Sequence, residues 1–302
     1  MKKFILKAGL FGIIIIMLLA VGELAVRSML TPYGIKHLEV VNNGDKISTV
    51  VLGSSHTYYG IDAKELGDSV INMANISQLY DYDYYLLEHY KKYMPNLRRV
   101  IIPVSYFSFT DDFFEEGNEW KMAINYKVYM EIDRHSDFSK YNFVIANFDV
   151  YSGKLKSLLT GKSRIKCDSL GHGLDFTLDI RPSNWKEGGY KRARDHEKHL
   201  HDNVGRSREF LEKIVAFCNA NSIEPIIITT PVWSSYYESW RDAQKKIMIE
   251  NRDYIINKYN LRYYDYIRDP RFVDEDFYDV DHLSDIGATK LTALLRDTLK
   301  NK

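Results

Sequence analysis

The sequence predicts an α/β protein with a mostly parallel five-stranded sheet, carried behind an N-terminal apolar helix. Three observations predict it. Short β-type apolar runs alternate with amphipathic helical stretches, the pattern of a parallel sheet covered on both faces. The first such run, Val50-Val51-Leu52, stops abruptly at Gly53-Ser54-Ser55-His56. A buried strand that ends this way turns sharply and lifts a small hydroxyl residue to its carboxyl end. The chain also opens on lysines followed by an uncharged apolar run. Its 302 residues suit one large α/β domain with an insertion, or two small domains. Lys and Arg together number 41, equal to Asp and Glu, so the basic bias of a nucleic-acid binder is missing.

Taken in order, Lys2, Lys3 and Lys7 precede the apolar run 8–22. Positive charge ahead of such a run places the amino end in the cytoplasm and the body across the membrane. Counting 4–21, with Lys7 snorkelling, reaches a span of about 20 residues. A cleavable signal peptide with Ala20-Val21-Gly22 as its site is the rival, but 23–30 continues as helix, which favours an uncleaved anchor over 1–30. Thr31-Pro32-Tyr33-Gly34 and Asn42-Asn43-Gly44-Asp45 read as linker and turn, giving a linker over 31–46 and a catalytic domain over 47–302.

Strands are expected at 47–52, 69–73, 99–104, 223–230 and 261–266. Helices are expected at 78–93, where Tyr82, Tyr85, Leu86 and His89 recur at helical spacing, and at 208–219, 240–259 and 284–300. Ser284 suits an N-cap and Asp285 the first turn. Residues 107–205 break the rhythm; rich in Phe, Tyr and Trp, they read as an insertion or cap over the active-site end. Cys167 and Cys218 form no framework or redox pair; one disulfide is an alternative to simple packing of Cys218 on its helix. The 23 tyrosines suit half-buried surface first and carbohydrate contact second.

A serine nucleophile needs a base, and the base an orienting group. Asp279-Val280-Asp281-His282, just before the last helix, supplies both. Ser55 is the expected nucleophile, His282 the base and Asp279 the residue that fixes its tautomer. Alone, each motif could be an ordinary turn or a helix cap; loops after the first and last strands converge over one crevice, which ties them together. His56 is a weaker base candidate and is expected to contact substrate instead. Asp281 competes with Asp279 for the orienting role. The run 195–202, with His196, His199 and His201, has metal-ligand residue types but reads as a solvated charged segment, so no metal and no cofactor are expected. Lys154, Lys156, Lys162, Arg164 and Lys166 read as a solvated face before an anionic lipid or glycan contact.

At these residues the chain resembles a family. Gly53-Ser54-Ser55 and Asp279-x-x-His282 look like the first and last blocks of SGNH/GDSL hydrolases. Leu52 to His56, Asn72-Met73-Ala74-Asn75-Ile76-Ser77-Gln78, and Asp279-x-Asp281-His282-Leu283 with Gly287-Ala288 are similar to one branch. That branch comprises membrane-anchored proteins encoded beside membrane-bound O-acyltransferases, such as the D-alanyl transfer protein of teichoic acid synthesis and alginate acetylation proteins. The resemblance implies a flavodoxin-like three-layer sandwich and carries the triad onto Ser55, His282 and Asp279. Ser77 stands where the family has its second-block glycine, and Val104-Ser105-Tyr106-Phe107 replaces the third block. Oxyanion donors are therefore sought at Ser77, Asn75 and Ser105. The implied activity is extracytoplasmic acyl transfer, with acetyl the expected group, to a cell-envelope or exported polysaccharide, beside a membrane-bound O-acyltransferase-like partner. An esterase acting on the same kind of polymer is the alternative, and a non-catalytic subunit of a polysaccharide export or modification complex is the third reading.

Overall fold

The computed structural model describes residues 1–110, 119–134, 142–162, 166–197 and 204–300. Helix α1 (Lys2–Arg27) opens the chain and α2 (Pro32–Asn43) follows. Strand β1 (Thr49–Val51) leads into two short helices, α3 (Ser55–Gly60) and α4 (Ala63–Leu66). Then come β2 (Val70–Asn72), α5 (Tyr80–Tyr90) and β3 (Arg99–Pro103). Helices α6 (Glu119–Met130), α7 (Phe148–Thr160), α8 (Gly189–Glu197) and α9 (Val204–Ala220) precede β4 (Glu224–Thr229). The chain ends with α10 (Ser234–Glu238), α11 (Asp242–Tyr259), β5 (Arg262–Asp265) and α12 (Asp285–Lys300).

The residues group into two compact units, Met1–Gly34 with Phe114–Arg164, and Ile35–Phe113 with Ile165–Lys302. The second unit holds the sheet. All five strands are parallel in the order β2-β1-β3-β4-β5. Val51, Ile101, Ile226 and Ile228 join one apolar core with Leu291 and Leu295 of α12. Their neighbours Val50, Val100 and Ile227 are equally buried and, by the pleat, face the other side. Helices α3, α4 and α12 pack together as one layer, and α5, α9 and α11 as the other, so this unit is the α/β sandwich the sequence predicts. The order reverses between β1 and β3, and open sheets of this kind bind ligands at the carboxyl ends beside that reversal. Ser55 begins four residues after the end of β1.

Three expectations change. The linker over 31–46 is helical: Pro32 takes the first helical position, which its fixed φ favours, Thr31 Oγ1 accepts from Gly34 N–H at 3.2 Å, and Lys36 and Val40 are buried. The segment 107–205 is divided between the two units rather than forming one insertion. Cys167 and Cys218 are both free and buried, with Cys218 on the apolar face of α9.

In the first unit, Val26, Ile124 and Val144 form a small core. Buried Glu23, near the end of α1, pairs with Arg27 at 2.7 Å and accepts the backbone N–H groups of Val144 and Ile145, each at 2.9 Å. Upstream of it, α1 is long and apolar enough to cross a membrane.

Candidate active site

The turn that carries Ser55 is fixed by its glycine. Gly53 has φ +111°, a region that favours glycine, and a Cβ there would fall on the Pro103 ring. Gly53 N–H donates to Asp83 Oδ1 at 2.9 Å, and Thr57 Oγ1 donates to Leu52 O at 2.7 Å. Ser54 takes the N-cap position of α3 in extended conformation, without a side-chain capping bond, and Ser55 is the first helical residue.

The second half of the site is a loop pinned by its own aspartate. Asp279 Oδ1 accepts the N–H groups of Asp281 at 3.0 Å and His282 at 2.9 Å. The same oxygen lies 3.0 Å from His282 Nδ1. The Asp-x-x-His box is thus a local turn network and an imidazole orienter at once. His282 Nε2 reaches Ser55 Oγ at 2.8 Å, so residues 227 positions apart meet in a chain Ser55–His282–Asp279.

Asp281, fully buried, stands behind this chain. Its carboxylate accepts from His56 Nε2 at 3.2 Å, ion-pairs Arg192 Nε at 2.9 Å and lies 3.4 Å from His282 Nδ1. Burial would raise its pKa, but His282, His56 and Arg192 hold it well below the usual carboxylate range. Burial would likewise lower His282, yet Asp281 and Asp279 outweigh it and push the imidazole up to about 10. Arg192 also reaches Asp279 Oδ2 at 3.3 Å. His196, one turn along α8, lies 2.6 Å from the Tyr236 hydroxyl, and burial drops its pKa to about 3.

A pocket of about 360 Å³ opens over Ser55, lined among others by Ser77, Phe107, Phe176, Arg192 and His282. Phe176 stacks between Tyr59 at 3.8 Å and Tyr278 at 4.1 Å and meets the His282 ring edge-on. A larger cavity, about 680 Å³ and lined by residues of α11 and the segment after β5, contains none of these residues.

The remaining sequence candidates divide. Ser77 lines the pocket in the left-handed region, φ +57°. Among the described residues no group takes its N–H, nor that of Ser55. Asn75 and Ser105 are not free to serve as side-chain donors. Asn75 Nδ2 is committed to Gln78 Oε1 at 2.8 Å and Met73 O at 3.3 Å, and the Ser105 hydroxyl donates to His56 Nδ1 at 3.0 Å. His56, expected at the substrate, is buried with both ring nitrogens bonded, because α3 turns it towards Ser105 and Asp281.

His56, Asp281 and His282 bring ligand-type atoms within 4.8 Å of one another. Arg192 ion-pairs that same Asp281 carboxylate, and a guanidinium there repels a second cation. Of the charged run 195–202, His199, His201 and Asp202 lie outside the described residues. Sequence reasoning missed Arg192, and it took His196 for surface. Their i, i+4 spacing around buried Ala193 was the signal that both share one face of a helix.

No protein-family model matches the chain, and no curated protein matches it. Among solved structures, one from Bacteroides fragilis, provisionally described as an acylhydrolase, is similar at 12% identity and a TM-score of 0.42. The match covers 89% of this chain and 94% of that one.

Proposed function

We propose that this protein is a serine-dependent acyl-group enzyme, with Ser55 as nucleophile, His282 as base and then acid, and Asp279 as the orienter. The observation that carries the reading is the unbroken Ser55–His282–Asp279 chain at the carboxyl end of β1. Ser55 Oγ attacks the acyl carbonyl while its proton passes to His282 Nε2. The backbone N–H groups of Ser55 and Ser77 bind the oxyanion. Collapse expels the leaving group, which takes the proton from His282, and leaves an acyl ester on Ser55. An acceptor hydroxyl then gives its proton to His282 and attacks that ester, releasing the acylated acceptor and restoring Ser55.

A glycan hydroxyl as acceptor makes the protein a transferase, and acetyl is the acyl group of first choice. Water as acceptor makes it an esterase. The branch resemblance and the apolar N-terminal helix support transfer to an envelope or exported polysaccharide outside the cytoplasm, with acyl groups supplied by a membrane-bound O-acyltransferase-like partner. The full chain in detergent is incubated with a fluorophosphonate and with p-nitrophenyl acetate plus a sugar oligomer, beside Ser55→Ala and His282→Ala. Labelling of Ser55 and acetylated sugar from wild type alone are expected. Free acetate without acetylated sugar replaces transfer by hydrolysis. An unlabelled Ser55 with no turnover overturns the enzyme reading in favour of a non-catalytic subunit.

A further inference from the structure

We infer that Lys36, Asn75, Gln78 and Asp83 form a buried array that positions the Ser77 amide against the Ser55 turn. The inference rests on the proposed role of Ser55. The connections are continuous. Lys36 Nζ donates to Ala74 O and to Asn75 Oδ1, the latter at 3.1 Å. Asn75 Nδ2 donates to Gln78 Oε1 at 2.8 Å, and Gln78 Nε2 to Asp83 Oδ1 at 2.6 Å. That same oxygen takes Gly53 N–H at 2.9 Å, and Gly53 O takes Asn75 N–H at 3.1 Å. The hydrogen bonds of Asn75, Gln78 and Asp83 therefore close a ring through the N–H and the C=O of Gly53, which starts the Ser55 turn.

Ser77 lies on the loop between two members of the ring. A serine is disfavoured in the left-handed region and keeps that conformation only where its surroundings impose it. Here they do: Asn75 and Gln78 are each 2% exposed, Asp83 1% and Lys36 0%. The array supplies the constraint that holds Ser77 in this conformation. Removing charged groups from water is unfavourable unless hydrogen bonds compensate it, and Lys36 and Asp83 are the two ionisable members of this array. Burial draws Lys36 down to about 7 and lifts Asp83 to about 7. None of the four touches the reacting atoms; they are positioning residues.

The test uses the full chain in detergent. Gln78→Met, close in volume, cuts the ring at its middle, and Lys36→Met removes the donor that holds Asn75 from outside it. The rates of fluorophosphonate labelling and the kcat for p-nitrophenyl acetate are expected to fall ten- to a hundredfold in both, with KM within about twofold. Asp83→Asn keeps an acceptor for Gly53 and Gln78 and should stay within about fivefold of wild type, whereas Asp83→Leu should fall with the others. Thermal melts check that each variant is folded, and Gln78→Met decides alone where Lys36→Met does not fold. A folded Gln78→Met labelled at the wild-type rate overturns the array while leaving Ser55 in place. A wild-type protein that the probe does not label overturns the reading of Ser55, and the array falls with it.

Discussion

A histidine held between two carboxylates is a base only after it has given up a proton. Burial alone would make His282 release it early, but Asp281 and Asp279 raise it to about 10, above its ordinary value of about 6.5. Esterase activity should therefore climb with pH through the alkaline range. Asp281→Asn removes one of the two charges, so the limb of kcat/KM against pH should move towards acid. A limb unchanged in that variant would free Asp281 from any influence on the base. The same shift bears on stability with a fixed sign. Protonated His282 stabilises the fold fully below about pH 6.5, and that contribution is lost as pH rises through about 10. Melting temperatures measured from pH 6 to 10.5 should drop further for wild type than for His282→Gln. Ser55, Asp279 and His282 can be singled out from sequence because a glycine-serine turn and an Asp-x-x-His box are local patterns. Asp281 appears there only as a competitor for the orienting role, and Arg192 and Lys36 do not appear, because what they touch is set by tertiary packing.

The loop that carries His282 depends on how α12 begins. Ser284 Oγ accepts from Gly287 N–H at 3.2 Å and donates to Glu275 O at 2.6 Å, with the residue wholly buried. Ser284→Ala removes the cap and its bond to Glu275 O, which should lower stability by about 1 kcal/mol in urea unfolding. Because Ser284 lies two residues from His282, kcat should fall as well. A variant with wild-type stability would show that the turn of Asp279 holds α12 without its cap. The serine cap was readable in the sequence, and so were the five strands, four of them as short, sharply ended Val and Ile runs and β5 as a Tyr-rich one. Helix α2 was not. Gly34, Asn42, Asn43 and Gly44 carry turn signals, and the helical start at Thr31 and Pro32 together with burial of Lys36 and Val40 overrides them. Local propensity is a weak guide wherever tertiary packing decides.

At the scale of the whole chain, the proposed function depends on which side of a membrane the sheet unit occupies. Helix α1 has 26 residues, about 39 Å at 1.5 Å per residue, against an apolar thickness of about 30 Å. Its residues Phe4, Leu6, Phe11, Ile16 and Leu18 are exposed, an arrangement that water disfavours and lipid accepts. Lys2, Lys3 and Lys7 ahead of the apolar run are the charge pattern that favours an amino end inside, the orientation the proposed function requires. The full chain should remain in the membrane fraction after an alkaline carbonate wash. Arginines at Ile14 and Ile15 should release it, since charge at a helix centre costs about 2.5–3.5 kcal/mol per residue on insertion scales. Protease added outside intact cells stripped of their outer layers should digest the sheet unit and spare a tag ahead of Lys2. Digestion of the tag with the sheet unit protected would reverse the topology. An acceptor glycan outside the cytoplasm would then be out of reach, and the acyl acceptor of Ser55 would have to be a cytoplasmic hydroxyl.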